Sequence, residues 1–449
     1  MASGVWLSQN KVRPGCYINF KAVPKSTMTV GDRGIVALPL FLKWGDDDKL
    51  IEVLSSELLN GDSLKHIGYT AFDEDSKLLA SALNYCYKAL IYKIPTSAES
   101  TASKATLDLG TFKVEAKYTG TFGNNIKVTV EYDEIKQLYT VITWVKGETV
   151  DKQIVVSADD LIANDYVVFS GTLGADSVNA GQDLTGGTDG TPAQESEWYP
   201  KYLKKLESAK WQTMCCFSED DLIKQNIVDW VQGLREDEGR YVQGVVYDYD
   251  GADYEGIINS ISSVEINGIT FSGSEFVAVV AGMTAGANIN QSNTARIVDG
   301  ATKIINNLSN SEIIEALQNG KFLISESLSG KIKVEQDINS LHTYSADRNY
   351  SFSKNRVVRT LDEIGTTTVS TWEDKYMGKF DNNSTGRELF KLDLSTYANS
   401  LQTLSAIQDF SANDISIAQG KDLDSVVATW RVKPVDSMEK LYLTVNVDS

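Results

Sequence analysis

Residues 112–132 read FKVEAKYTGTFGNNIKVTVEY. Phe112, Val114, Ala116 and Tyr118 alternate with Lys113, Glu115 and Lys117, and Ile126, Val128, Val130 and Tyr132 repeat the pattern after a Gly-Asn turn. A period of two is that of a half-buried β-strand. Further strand candidates at 139–145, 154–157 and 166–170, spaced by Gly and Asn turns, complete a small antiparallel β domain. It is entered through the small-residue linker TSAESTASKAT (96–106) and left through the Gly-rich loop GQDLTGGTDGTPAQES (181–196). On pattern alone LTGGTDG (184–190) reads as a flexible turn, since no helix with a Lys follows to make it a phosphate cradle.

On either side the period is different. Residues 74–95 open with Asp73, Glu74 and Asp75 and place Leu79, Leu83, Cys86 and Leu90 three and four apart, as an amphipathic helix does. After the insertion, WQTMCCF (211–217) is a strand candidate. Ser218 then caps a helix with Ile223, Ile227, Trp230 and Leu234 on one stripe, and RYVQGVVYDY (240–249) is the next strand. Strand, helix, strand is the grammar of a partly parallel sheet. Strand candidates at 321–326 and 331–336 precede two helix patterns, one carrying Val358, Leu361, Gly365, Thr368 and Trp372, the other Phe390, Leu394, Tyr397, Leu401 and Leu404.

Both ends of the chain read as strands. In KLYLTVNV (440–447), Leu441, Leu443, Val445 and Val447 share one face; near the start, Trp6 precedes a Pro14-Gly15 turn and a short strand candidate, Cys16 to Phe20. A terminal strand can pair within its own subunit or add to a neighbour's sheet edge. The expected fold is therefore mixed α/β (α+β) and multidomain, with an inserted antiparallel β domain and terminal strand arms. Its expected parts are an N-terminal arm (1–20), a core in two pieces (21–96 and 197–300), the inserted outer β domain (97–196), a C-terminal domain (301–434) and a C-terminal arm (435–449).

Composition bounds the function. A net charge of −19 with 61 acidic against 42 basic residues argues against wrapping nucleic acid, which needs clustered Lys and Arg. Cys16, Cys86, Cys215 and Cys216 have no metal-ligand spacing, and only His66 and His342 accompany them, so neither a zinc site nor a His-dependent triad has material to work with. Asp248, Asp250, Asp253 and Glu255 crowd together without the spacing of a calcium loop, and read as a solvated acidic turn. No nucleotide-binding, nucleophile-elbow or zincin motif occurs, so no catalytic residue and no cofactor is expected. The start lacks a basic segment leading into an apolar stretch, and no run of eighteen apolar residues occurs, so the reading is a soluble protein made and kept in the cytoplasm.

Several segments together resemble one family, the contractile tail sheath proteins of phages and phage-tail-like bacteriocins, in the subgroup of Gram-positive bacteria. GVWLSQNKVRPGCYINF (4–20) is similar to that family's opening, GTFGNNIKVTV (120–130) to the start of its inserted domain, and LTGGTDG to the return from it. VAGMTAGANINQSNT (280–294) resembles the central helix with its following loop, and VEQDINSLHTYS with KNRVVRTLDEI, spread over 334–364, the C-terminal domain. The resemblance implies a structural protein, not an enzyme. It would stack with copies of itself as six-subunit rings around a tail tube protein, with baseplate and terminator or collar proteins at the ends, without nucleic acid or membrane insertion. It also implies strand exchange between copies: Trp6, Tyr17, Ile18 and Phe20 with Leu441, Leu443, Val445 and Val447 as arms, and Val426, Ala428, Trp430 and Val432 as the acceptor strand. The family's C-terminal domain faces the tube, which makes the basic cluster Lys354, Arg356 and Arg359 the expected tube-facing group. The alternative reading is a surface or virion binding protein whose β domain recognises carbohydrate.

Overall fold

Seven strands lie side by side in the central sheet of a computed structural model, which describes residues 2–4, 15–17 and 33–447. Their order is Lys321–Phe322, Ile257–Ser260, Gln243–Tyr247, Thr213–Cys215, Ile35–Leu40, Lys88–Lys93 and Ile51–Leu54. Every neighbouring pair is parallel except the last. Parallel strands are buried on both faces, which is why IVALPL at Ile35–Leu40 is a continuous apolar run, buried at all six positions. Val36 and Leu38 point into one core, shared with Phe276 and Val280 of the helix Gly273–Gly286. Ile35 and Ala37 point into the other, with Trp198 and Tyr202 of Glu195–Glu207 and Ile227 and Val231 of Asp221–Glu236. The result is three layers, helix on sheet on helix.

The chain divides into two compact units, one of residues 31–366 and 434–449, the other of 1–30 and 367–433. The first holds the central sheet and the inserted β domain. The expected boundary near residue 300 does not coincide with this division: Lys321–Phe322 joins the central sheet, and Ile324–Glu326 pairs with Ile332–Val334 beside the same core.

Three local readings are corrected. The helix expected over 74–95 is a short 3₁₀ turn followed by Lys77–Leu83, and Leu90 lies in the strand Lys88–Lys93. ALIY is as good a strand as a helix turn, and pairing on both sides decides for the strand. The helix after Cys216 is capped by Asp220, whose carboxylate accepts from the Leu222 amide, and not by Ser218. Strand Lys440–Val447 is absent: residues 440–447 have no regular structure.

The inserted domain is two antiparallel sheets. One runs Glu148–Val155, Leu138–Val145, Ile126–Asp133, Asn179–Asp183; the other runs Val167–Gly171, Phe112–Ala116, Thr106–Leu109. Its apolar filling includes the fully buried Trp44 from outside the insertion, with Leu64 packed against the same cluster. That ring lies 5.0 Å from Phe122 and 5.1 Å from Tyr118, and its Nε1–H donates to the Lys65 carbonyl at 3.1 Å. LTGGTDG is no loose turn. The Asp189 carboxylate accepts from the Thr121 amide at 2.6 Å and from its hydroxyl, while the Asn124 side chain bonds both the N–H and the C=O of Gly187 at 2.9 Å. Gly120 has φ +120°, and a Cβ there would fall 2.0 Å from the Lys43 carbonyl oxygen, so the turn at 120–122 closes against Lys43, while the two ends of the insertion pair with each other through Ser97 with Thr191 and Ala193 with Pro95.

The second unit contains the helix Ser384–Thr403 and the antiparallel hairpin Ile415–Gln419/Val426–Trp430, held to that helix by Trp430 against Tyr397. A π-helical turn, Trp372–Tyr376, sets its two rings edge-on against Phe390, at 5.1 and 4.9 Å between centroids. The pair Ala2–Gly4 and Gly15–Tyr17, which is parallel, belongs to the same unit. Because Trp44 plugs the base of the inserted domain, Trp44→Ala is expected to lower unfolding stability by about 3–5 kcal/mol, read as a shift of the urea midpoint.

Candidate assembly site at the anchor of the C-terminal arm

Three of the segments singled out in the sequence meet at one carboxylate. Asp337, 1% exposed, accepts from the Asn293 amide at 2.9 Å and the Asn355 side chain at 2.9 Å, and lies 3.4 Å from Arg359 Nη2. Asn293 comes from the loop after the helix Gly273–Gly286, Asp337 from the stretch after Ile332–Val334, and Asn355 and Arg359 from the first turns of the helix Asn355–Thr371. Arg359 is fully buried and also donates to the Gln291 carbonyl at 2.6 Å, and the Thr360 hydroxyl donates to that of Ile289 at 3.2 Å. One turn further along, Asp362 takes both Nη atoms of Arg235, at 2.6 and 3.0 Å. The helix is thus seated on the core by a row of buried, paired charges and amides. Arg33 lies at the same seat, where burial and the neighbouring Arg359 charge pull its guanidinium down to about 10 against the attraction of Asp362 and Glu363.

The returning chain end is fixed beside this node. Glu439 accepts from the Thr294 hydroxyl at 2.7 Å, from Gln336 Nε2 at 2.7 Å and from the Lys354 ammonium, with Asp436 4.0 Å from the same ammonium. Thr294 Oγ1 in turn accepts from the Asp337 amide at 2.9 Å, so arm anchor and helix seat form one network. Burial alone would raise the Glu439 carboxyl; the hydrogen bonds from Gln336, Lys354 and Thr294 outweigh it and hold the group below its ordinary 4.5. Immediately beyond the anchor, Leu441, Tyr442, Leu443, Val445 and Val447 are 73–90% exposed.

This disposes of part of the expected basic face. Lys354 and Arg359 are buried in ion pairs within the chain, and Arg356 is half-buried, because the helix start is seated on the core instead of pointing to solvent. Of the acceptor residues, Val426, Ala428 and Trp430 lie on a strand, and Val432 lies beyond its end. Val427, Ala428 and Thr429 are exposed, and among the described residues the hairpin has no third strand on either edge. Of the N-terminal arm, Tyr17 pairs in register with Gly4 of the same chain, whereas Trp6, Ile18 and Phe20 lie outside the described residues.

The acidic turn is not a cation site. Asp248 and Asp250 both pair with Lys321 at 2.9 and 2.7 Å, Asp253 accepts from the His342 amide at 2.8 Å, and buried Glu255 pairs with Arg348. Among the described residues no group of His, Cys, Asp and Glu is arranged to hold a metal. Cys86 and Cys216 are buried, and burial pushes both thiols up to about 12. No described helix is long and apolar enough to cross a membrane.

The chain thus combines a three-layer α/β core, an inserted β-sandwich and a polar anchor for an exposed C-terminal segment. The chain belongs to the phage tail sheath family: models of that family's beta-sandwich, central and C-terminal domains match residues 98–189, 192–340 and 347–448. It is 31% identical to the phage-like element PBSX protein XkdK of Bacillus subtilis, over 98% of each chain. It is 36% identical to a sheath tail protein of Desulfitobacterium hafniense of known crystal structure, with a TM-score of 0.78 over 96% of this chain and 99% of that one. The helical sheath of the anti-feeding prophage in its contracted state shares the fold alone, at 10% identity and a TM-score of 0.57 over 98% of this chain and 100% of that one. The family is structural and not enzymatic, and the chain is a phage tail sheath protein.

Breaking the helix seat leaves a buried charge without its partner, so Asp362→Ala is expected to cost about 3–5 kcal/mol in denaturant unfolding. The arm anchor carries a pH signature. A depressed carboxyl stabilises above its unfolded value and loses that contribution as pH falls through the folded one, so hydrogen exchange of residues 434–440, corrected for intrinsic rate, should lose protection below 4.5. Glu439→Gln should show the same loss at neutral pH.

Proposed function

We propose that this chain polymerises as stacked six-subunit rings around a tail tube, and that the ends of each subunit add as strands to the hairpin Ile415–Gln419/Val426–Trp430 of a neighbour. The observation that carries this reading is the exposed C-terminal segment: four alternating aliphatic side chains, Leu441, Leu443, Val445 and Val447, stand in solvent directly after a buried polar anchor. Exposing them is costly, since burying one such side chain contributes about 1.5–3 kcal/mol. Addition to a strand edge would cover them and add ladder bonds worth about 1 kcal/mol each. A two-stranded hairpin is marginal by itself and gains by extension. Because the anchor belongs to one copy and the acceptor to the next, links of this kind hold a mesh together while subunits shift against one another.

Contraction on this reading draws on the packing itself. The extended sheath is a kinetically trapped arrangement that a baseplate event releases towards a shorter one, without nucleotide hydrolysis. A surplus of 19 negative charges per copy makes the contacts between rings depend on Lys and Arg set opposite carboxylates, and so on ionic strength.

Deleting residues 441–449 removes the arm and leaves its anchor. Electron microscopy and sedimentation should then find folded particles and no hollow tubes. Tubes of normal length from the truncated chain would refute the arm assignment.

A further inference from the structure

One sheet of the inserted domain carries, on the face turned away from the domain's apolar core, a feature that the fold does not need. Along Leu138–Val145 the side chains of Val141, Thr143 and Val145 turn into the sandwich, which places Trp144 on the outward face, half-exposed and outside the domain's apolar core. Trp144 stands opposite Lys127 on the next strand. Its Nε1–H donates to the Thr129 hydroxyl at 3.1 Å, which fixes the ring plane instead of leaving it to rotate. The edge strand Asn179–Asp183 breaks register between Asn179 and Gln182, and the two residues lifted out are Ala180 and Gly181, small ones. A bulge of this kind bends an edge away and opens room beside it. The room is a shallow depression of about 580 Å³, floored by Trp144 and Thr129 and rimmed by Asn125, Lys127, Ala180 and Asp183.

We propose that this depression is a binding site for a pyranose ring of a cell-surface glycan. A pyranose has a face of C–H groups and a rim of hydroxyls that both donate and accept. A fixed indole face suits the first; the Asn125 amide, the Lys127 ammonium and the Asp183 carboxylate suit the second. Charge selects a neutral ligand. Lys127 lies 3.8 Å from Asp183, and Lys146 at the same depression pairs with Asp73 at 3.2 Å, so each cation already faces a carboxylate and nothing is left over to attract a phosphate or an acidic peptide. One such site is open and weak; many copies displayed along an assembled sheath would bind a glycan surface by summed contacts.

The full-length chain, labelled with 5-fluorotryptophan and read by fluorine NMR, tests this with glucose, galactose, N-acetylglucosamine and their β-linked dimers. The Trp144 resonance, assigned by its absence in Trp144→Phe, should shift saturably at millimolar concentrations with at least one sugar. Trp144→Ala, followed by calorimetry, should weaken that binding about tenfold or more, and Asp183→Ala several-fold, with circular dichroism unchanged in both. Ile154→Ala, on the same domain, should leave binding unaltered. No shift with any sugar up to about 50 mM, a concentration that would detect even a very weak site, would overturn the proposal. So would a Trp144 signal that moves only when subunits polymerise, which would make this face a contact between copies.

Discussion

The buried carboxylate of Asp337 is the point on which the larger unit depends. It gathers an amide from the loop after the central helix and a side chain and a guanidinium from the helix Asn355–Thr371, while the backbone amide of the same residue donates to Thr294 and so reaches the anchor of the returning chain end. Buried ionic groups rarely add stability over an apolar filling, but they tolerate only one arrangement of partners. Here that property fixes where a long helix starts and where the chain end leaves the surface. An apolar seat would allow the helix to slide by a turn; a bidentate Arg235–Asp362 pair does not.

The same preference for fixed geometry runs through the insertion. Its two ends are paired through Ser97 with Thr191 and Ala193 with Pro95, its return loop is fastened to the turn at 121–125 by Asp189 on Thr121 and Asn124 on Gly187, and its filling borrows Trp44 from the core. A β-sandwich joined by free linkers would pivot on its base. One closed by side chains to backbone groups, with a shared tryptophan inside, is carried as a rigid outgrowth of the layer beneath.

Much of this was legible because periodicity reports burial. Phe112, Val114 and Val128 read as inward strand positions and are buried, and the stripe Phe390, Leu394, Tyr397 and Leu401 is the buried face of Ser384–Thr403. The errors have physical causes. Leu90 fits a helical stripe as well as a strand, and only the partners on both sides, distant in sequence, decide. Lys354 and Arg359 look like a solvated basic cluster because nothing local reveals that Glu439 and Asp337 wait 85 and 22 residues away. The alternation of Leu441 to Val447 was visible, but alternation does not say which edge a strand joins, and the segment pairs with none of the described strands. The strands Thr106–Leu109 and Asn179–Asp183 escaped notice because one is short and the other is broken by a bulge.

The anchor at Glu439 also acts as a ruler. Residues 440–447 come next, and a fully extended chain advances at most about 3.5 Å per residue, so Val447 can lie no more than roughly 28 Å away. Whatever these residues grasp must keep within that radius of Glu439 throughout any rearrangement. Under the proposed strand exchange, the tether bounds how far an anchor and its captured edge can separate, and a lattice built from it would twist and compress only along paths that respect that length.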